Sequence, residues 1–167
     1  SDEQIEQQYK DDAAKLSADE LLYLASLKDT QADREQVYKK TAELYDKDYR
    51  AYNNLAALAL AKGDKKAAKQ YALKATSLGA AAPEAQANLG MLALAEGDVQ
   101  GAERLIAKAS GSENVQSALG ALNIAKGNYA QAESDFGKTA SNTAALAQIL
   151  NKNYAAAAKT LDKVENP

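Results

Sequence analysis

Three features of the sequence predict an all-α fold built from repeated helical hairpins. First, residues 54–69 return as residues 88–103, with nine of sixteen positions identical at an offset of 97 − 63 = 34. A fixed period of that length is the mark of a repeat array in which each unit packs on its neighbours. Second, the units carry the same punctuation: Gly63-Asp64, Gly97-Asp98 and Gly127-Asn128. Glycine supplies a left-handed helix exit, and Asp or Asn caps the next helix. Third, the apolar content, 46% of the 167 residues, is mostly Ala and Leu. Ala is the best helix former, whereas the β-branched and aromatic residues that favour sheets are sparse.

The elements follow in order. Ile5, Tyr9, Ala13 and Leu16 share one face of a 3.6-residue period, so residues 4–16 read as one helix. It is a cap or the second half of a truncated repeat. Ser17 and Glu20 form a capping box that opens the next helix, which carries Leu21, Leu24 and Ala25. After Asp29-Thr30 a second helix carries Val37, Tyr38, Thr41 and Leu44. Tyr49, Tyr52, Leu55, Ala56, Ala59 and Leu60 line the following helix, and its partner runs from the Asp64 cap to Gly79. Pro83 opens the next unit at a first-turn position, where its missing N–H costs nothing. Leu119, Gly120, Leu122, Tyr129, Ala132 and Phe136 mark a fourth unit.

The spacing then shrinks. Gly97 to Gly127 is 30 residues, and Tyr129 to Tyr154 is 25. The four lost residues of the fourth unit are assigned mostly to the connector between repeats, at Ser110-Gly111-Ser112. The expected organisation is one solenoid: a helix at 1–16, then repeats at 17–48, 49–82, 83–112, 113–140 and a degenerate one at 141–167. The Ser1-Asp2-Glu3 start and the Asn166-Pro167 ending suggest an excerpt of a longer protein.

These residues resemble the tetratricopeptide repeat (TPR), whose pattern is W-x2-L-G-x2-Y, A-x3-F and P on a 34-residue helix–turn–helix unit. The best copies are Gln86-x2-Leu89-Gly90-x2-Ala93 with Ala102-x3-Ile106, and Leu119-Gly120 with Ala132-x3-Phe136. Gln86 and Gln116 replace the large aromatic, and the closing Pro is lost after Tyr45 and after Leu78. The resemblance covers about residues 17–164 and implies a right-handed α-α superhelix. The stretch 48–55 is also similar to segments of bacterial cell-envelope TPR proteins, which favours the periplasm or cell envelope over the cytoplasm.

In that family the first helix of each unit lines a concave ligand surface. By resemblance the lining residues are Arg50, Asn53, Asn54 and Leu60, then Glu84, Asn88, Met91 and Leu94, then Asn114, Ser117 and Ile124. The Asn amides would grip the main chain of an extended peptide, because an amide both donates and accepts. Packing between helices is the competing role for Leu60, Leu94 and Ile124. The family's carboxylate clamp does not carry over: of its five positions, at Asn53, Ala57, Asn88, Asn114 and Ala118, only Asn88 agrees.

The rest of the chain narrows the function further. With no Cys and no His, disulfides, thiolate or imidazole metal sites and His- or Cys-dependent catalysis are excluded. The pairs Asp11-Asp12 and Asp19-Glu20 cannot converge on one substrate, since helix neighbours point about 100° apart. Net charge is −3 without a basic stripe, so no nucleic acid is expected. Lys65, Lys66, Lys69 and Lys74 read as a solvated face. No apolar run reaches the roughly 18 residues of a membrane span. The sequence therefore predicts a non-enzymatic scaffold without cofactor or metal, binding a protein or peptide partner as a monomer or weak homodimer. The alternative is a spacer or self-association module of a larger envelope protein.

Overall fold

The computed structural model describes residues 1–79, 82–109 and 113–165, without the side chains of residues 113 and 114. The Ser110-Gly111-Ser112 connector, the Asn166-Pro167 pair and the Asn114 side chain lie outside the described residues. Among the described residues there are eleven α-helices and no strand. The chain divides into two compact units, Ser1–Ala81 and Ala82–Pro167.

The first unit holds α1 (Asp2–Asp12), α2 (Ala18–Ser26), α3 (Gln31–Leu44), α4 (Tyr49–Lys62) and α5 (Lys65–Leu78). The expected single helix over 4–16 is corrected. The α-helix stops at Asp12, whose carboxylate accepts from Ala14 N–H at 3.2 Å and opens a 3-10 turn, Ala13–Lys15. That turn lets Leu16 bury itself. The Ser17 box forms as the sequence predicts: Glu20 N–H donates to Ser17 Oγ at 3.1 Å, and Ser17 N–H donates to Glu20 Oε1 at 2.9 Å. Helices α2 and α3 pair, as do α4 and α5, and α3 also packs on α4. The α2–α3 core is Leu24, Ala25 and Val37, with Ile5 and Tyr9 of α1 laid against it.

The second unit holds α6 (Pro83–Ala95), α7 (Val99–Ala107), α8 (Glu113–Ala125), α9 (Tyr129–Phe136), α10 (Asn142–Leu150) and α11 (Tyr154–Glu165). Successive helices pair, and α8 packs on both α6 and α10, so the three first helices stand side by side. Ala87, Ala102, Ile106, Val115, Ala118 and Leu122 form one core cluster. Close packing there needs glycine. A Cβ on Gly90 would sit 2.6 Å from Ile106 Cγ1, and one on Gly120 would sit 2.5 Å from Phe136 Cε2.

The shortening of the later repeats is also corrected. Helix α5 has 14 residues, whereas α7 has 9 and α9 has 8. The missing residues come from the C-terminal halves of the second helices, not from the connector. The 25-residue step clips α10 as well, to 9 residues.

Candidate functional site

Among the described residues, one turn closes four first helices: α4 in the first unit and α6, α8 and α10 in the second. Gly63 N–H donates to Leu60 C=O at 3.0 Å, and Asp64 N–H donates to Ala59 C=O at 2.9 Å. The same pair of bonds joins Gly97 to Leu94 and Asp98 to Ala93, then Gly127 to Ile124 and Asn128 to Asn123. It recurs where sequence reading found no glycine: Lys152 N–H donates to Ile149 C=O and Asn153 N–H to Gln148 C=O. This crossed pattern closes a helix on a left-handed residue. Gly63, Gly97 and Gly127 have φ of 80°, 83° and 78°, and Lys152 has 62°.

That turn fixes the register of α4, α6, α8 and α10. Three residues before it stand Leu60, Leu94, Ile124 and Ile149; six before it stand Ala57, Met91, Ala121 and Leu146. The last members of each series, Ile149 and Leu146, were missed by sequence reading. They are also the exposed large apolar members, at 42% and 44%. Their signal was the shared Asn-Tyr at 128–129 and 153–154. Met91 and Leu94 are half-buried against the Ala87–Leu122 cluster. Ile124 is half-buried against Ala132, Phe136, Ala144 and Ala147. In the second unit these side chains thus join a packed interior to one apolar surface.

The polar residues fare differently. Asn53 is buried, at 7% exposure, so its amide is not presented for an extended peptide. Its register mate Ala87 is buried too, while Ser117 is half-buried. Asn54, Leu60, Glu84 and Asn88 are half-buried.

Arg50 spends its charge within the first unit. Its Nη2 meets Asp48 Oδ2 at 2.6 Å and its Nη1 meets Asp19 Oδ1 at 2.6 Å. The Arg50 hydrogen bonds hold the Asp48 carboxyl below its usual range, and Asp48 followed by Asp19 raises Arg50 further. Arg50 therefore clasps the start of α4 to the first turn of α2. A carboxylate ligand would have to displace both acids.

Within each unit, repeats are also tied at the turn ends of α4, α8 and α10. Lys62 pairs with Glu35, Lys126 Nζ meets Glu103 at 3.1 Å, and Asn151 and Asn153 both donate to Glu133 at 2.7 Å. Each glutamate is the fifth residue of the preceding second helix. Lys62, and then Lys39, lowers the Glu35 pKa. Among the described residues no group of His, Cys, Asp or Glu is placed to hold a metal ion. No described helix is long and apolar enough to cross a membrane.

The arrangement of helices packed in adjacent pairs is shared with known structures. A chain of the APC/C hetero-tetramer Cut9-Hcn1 aligns over 96% of this chain with a TM-score of 0.70 and 16% identity. This chain has the tetratricopeptide-repeat fold. It spans 35% of that neighbour's length. TTC0263, a thermophilic TPR protein of Thermus thermophilus, aligns over 93% of this chain and 88% of its own, with a TM-score of 0.64 and 18% identity. YrrB, described as a TPR protein with an unusual peptide-binding site, aligns over 98% of this chain and 91% of its own, with a TM-score of 0.55 and 18% identity. No family model matches the sequence, and no curated protein matches it significantly.

Proposed function

We propose that this TPR chain is a non-enzymatic scaffold that binds a peptide or helix of a protein partner on the first-helix wall of its second unit. One observation carries the reading. The apolar series Met91 and Leu94, Ala121 and Ile124, Leu146 and Ile149 runs across α6, α8 and α10 and ends in two exposed side chains. Glu84 and Ser117 stand on the same helices as polar neighbours for a partner's main chain.

The affinity follows from areas and costs. Leu146 and Ile149 keep 44% and 42% of their surface exposed, so burying the remainder contributes roughly 1 kcal/mol each. Association costs on the order of 4–15 kcal/mol. The half-buried Met91, Leu94 and Ile124 add less, since part of their surface is already covered. Binding by this wall alone is therefore weak, about micromolar at best. The envelope location rests on the residue 48–55 resemblance alone.

The test is a displayed peptide library selected on the protein, followed by titration of a selected peptide. Leu146→Ser with Ile149→Ser should abolish binding, while Leu73→Ser on α5, at an equally exposed site (53%), should leave it unchanged. A peptide that loses affinity only with the α5 variant overturns the reading.

A further inference from the structure

Within the second unit the chain itself shows what covers a first helix. Met91 and Leu94 of α6 pack on a cluster to which the next first helix, α8, contributes Val115, Ala118 and Leu122. Ile124 of α8 packs on a cluster to which α10 contributes Ala144 and Ala147. Each time the cover includes the apolar face of a following helix, and α8 packs on both α6 and α10. Leu146 and Ile149 occupy the same register on α10, beside which no further first helix stands among the described residues, and both are exposed. The second helices show the same step. Tyr129 opens α9 and is half-buried, whereas Tyr154 opens α11 and is exposed.

Three observations set the chemistry of an occupant. The covering side chains are apolar and stand three or four apart on one helix face, as Ala144 and Ala147 or Ala118 and Leu122 do. Next, the glutamate clasp is missing. Glu35 holds Lys62, Glu103 holds Lys126, and Glu133 holds Asn151 and Asn153, each from the fifth residue of a second helix. The fifth residue of α11 is Ala158, so no acid waits there for a basic or amide side chain. Last, α1 lays Ile5 and Tyr9 against the α2–α3 core, so the first hairpin of a second copy is already covered.

We propose that the occupant of this face is an amphipathic helix of a partner protein, seated beside α10 as α8 is seated beside α6. Two of its apolar side chains, three or four residues apart, cover Leu146 and Ile149. The proposal rests on the first-helix wall of the second unit being the binding surface, and it names what that surface takes. A helix satisfies its own main-chain groups, and so does α10, so the contact is one of side chains alone. The partner helix needs no basic residue at its end, because Ala158 offers nothing to pair with it.

The probe is a synthetic peptide of residues 115–126, taken from α8 and ending in Lys126. It is cross-linked to hold it helical, because so short a helix is marginal in water. Titrated into the full chain and followed by amide NMR, it should shift residues 146–158, with a Kd on the order of 0.1–1 mM. Leu122→Ser in the peptide should weaken it about tenfold. Ala158→Glu in the chain rebuilds the missing clasp and should tighten the peptide about 2- to 5-fold, a gain that Lys126→Gln in the peptide removes. Misfolding does not produce such a gain. Equal binding by a proline-interrupted peptide overturns the proposal, as do shifts confined to α6, where the peptide would be displacing α8. If library-selected peptides bind at Leu146 and Ile149 but this helix does not, the helical occupant falls and the wall stands. If nothing binds there, both fall. Sedimentation that shows the chain dimerising, with the dimer lost in Leu146→Ser and Ile149→Ser, assigns the face to a second copy and also overturns the proposal.

Discussion

Placing a methyl group on Gly90 brings two effects into direct opposition. In a helix interior Ala is favoured over Gly by about 1 kcal/mol. Against this, the new Cβ would stand 2.6 Å from Ile106 Cγ1, 3.1 Å from its Cδ1 and 3.5 Å from the Ala102 carbonyl oxygen. Ile106 is 1% exposed and β-branched, and its γ-carbon cannot rotate away without leaving its rotamer. Overpacking of that kind costs about 1–3 kcal/mol. Gly90→Ala should therefore be destabilised by roughly 0–2 kcal/mol, the difference of the two. Ile106→Ala should cost about 2–5 kcal/mol as a cavity. The double variant should be better than the sum by about 1–3 kcal/mol, because the added methyl then enters vacated space. Urea unfolding followed by circular dichroism measures all three. Strict additivity, within about 0.5 kcal/mol, would refute the packing of α6 against α7 through this pair.

Three further outcomes follow from the same geometry. Lys152→Gly should stabilise the second unit by about 0.5–1 kcal/mol, since it relieves a left-handed non-glycine residue; Gly97→Ala should cost about as much, though nothing lies within 4 Å of its Cβ, and thermal melts read both. Asp48 has a folded pKa below its unfolded one, so its contribution is full above the ordinary Asp value near 4 and is lost as pH falls below it. Asp48→Asn keeps the helix cap but should flatten that acid limb of the stability curve, by no more than about 1 kcal/mol at this partly exposed site. Leu146→Ser and Ile149→Ser should leave the melting temperature within a few degrees of wild type, as expected of exposed side chains, so any effect on peptide binding is not one of unfolding.

The hairpins were legible because their signals are local. A helix exit, a cap and an apolar stripe are each written within a few residues, and the 34-residue echo ties them together. The last repeat was harder because its turn uses Lys152, which forgoes the glycine that marks the other three. Once that register is lost, Leu146 and Ile149 cannot be recognised as mates of Met91 and Leu94. The polar lining was legible only in part. Asp48 stands two residues from Arg50 in sequence, but Asp19 is 31 residues away and reaches it only through the packing of the helices. Asn53 sits on a first helix like its neighbour Asn54, yet one step of about 100° turns it into the interior. The shortened second helices were misplaced into the connector because Ser110-Gly111-Ser112 is the nearest visible break, while the lost turns left no mark of their own.

Whether a partner meets the first helices of the second unit, as proposed, rather than its second helices is tested most directly by amide NMR mapping of a selected peptide on the whole chain. Perturbations are expected along α6, α8 and α10, strongest around Leu146 and Ile149 and fading toward Met91. Perturbations confined to α7, α9 and α11 would contradict the proposal.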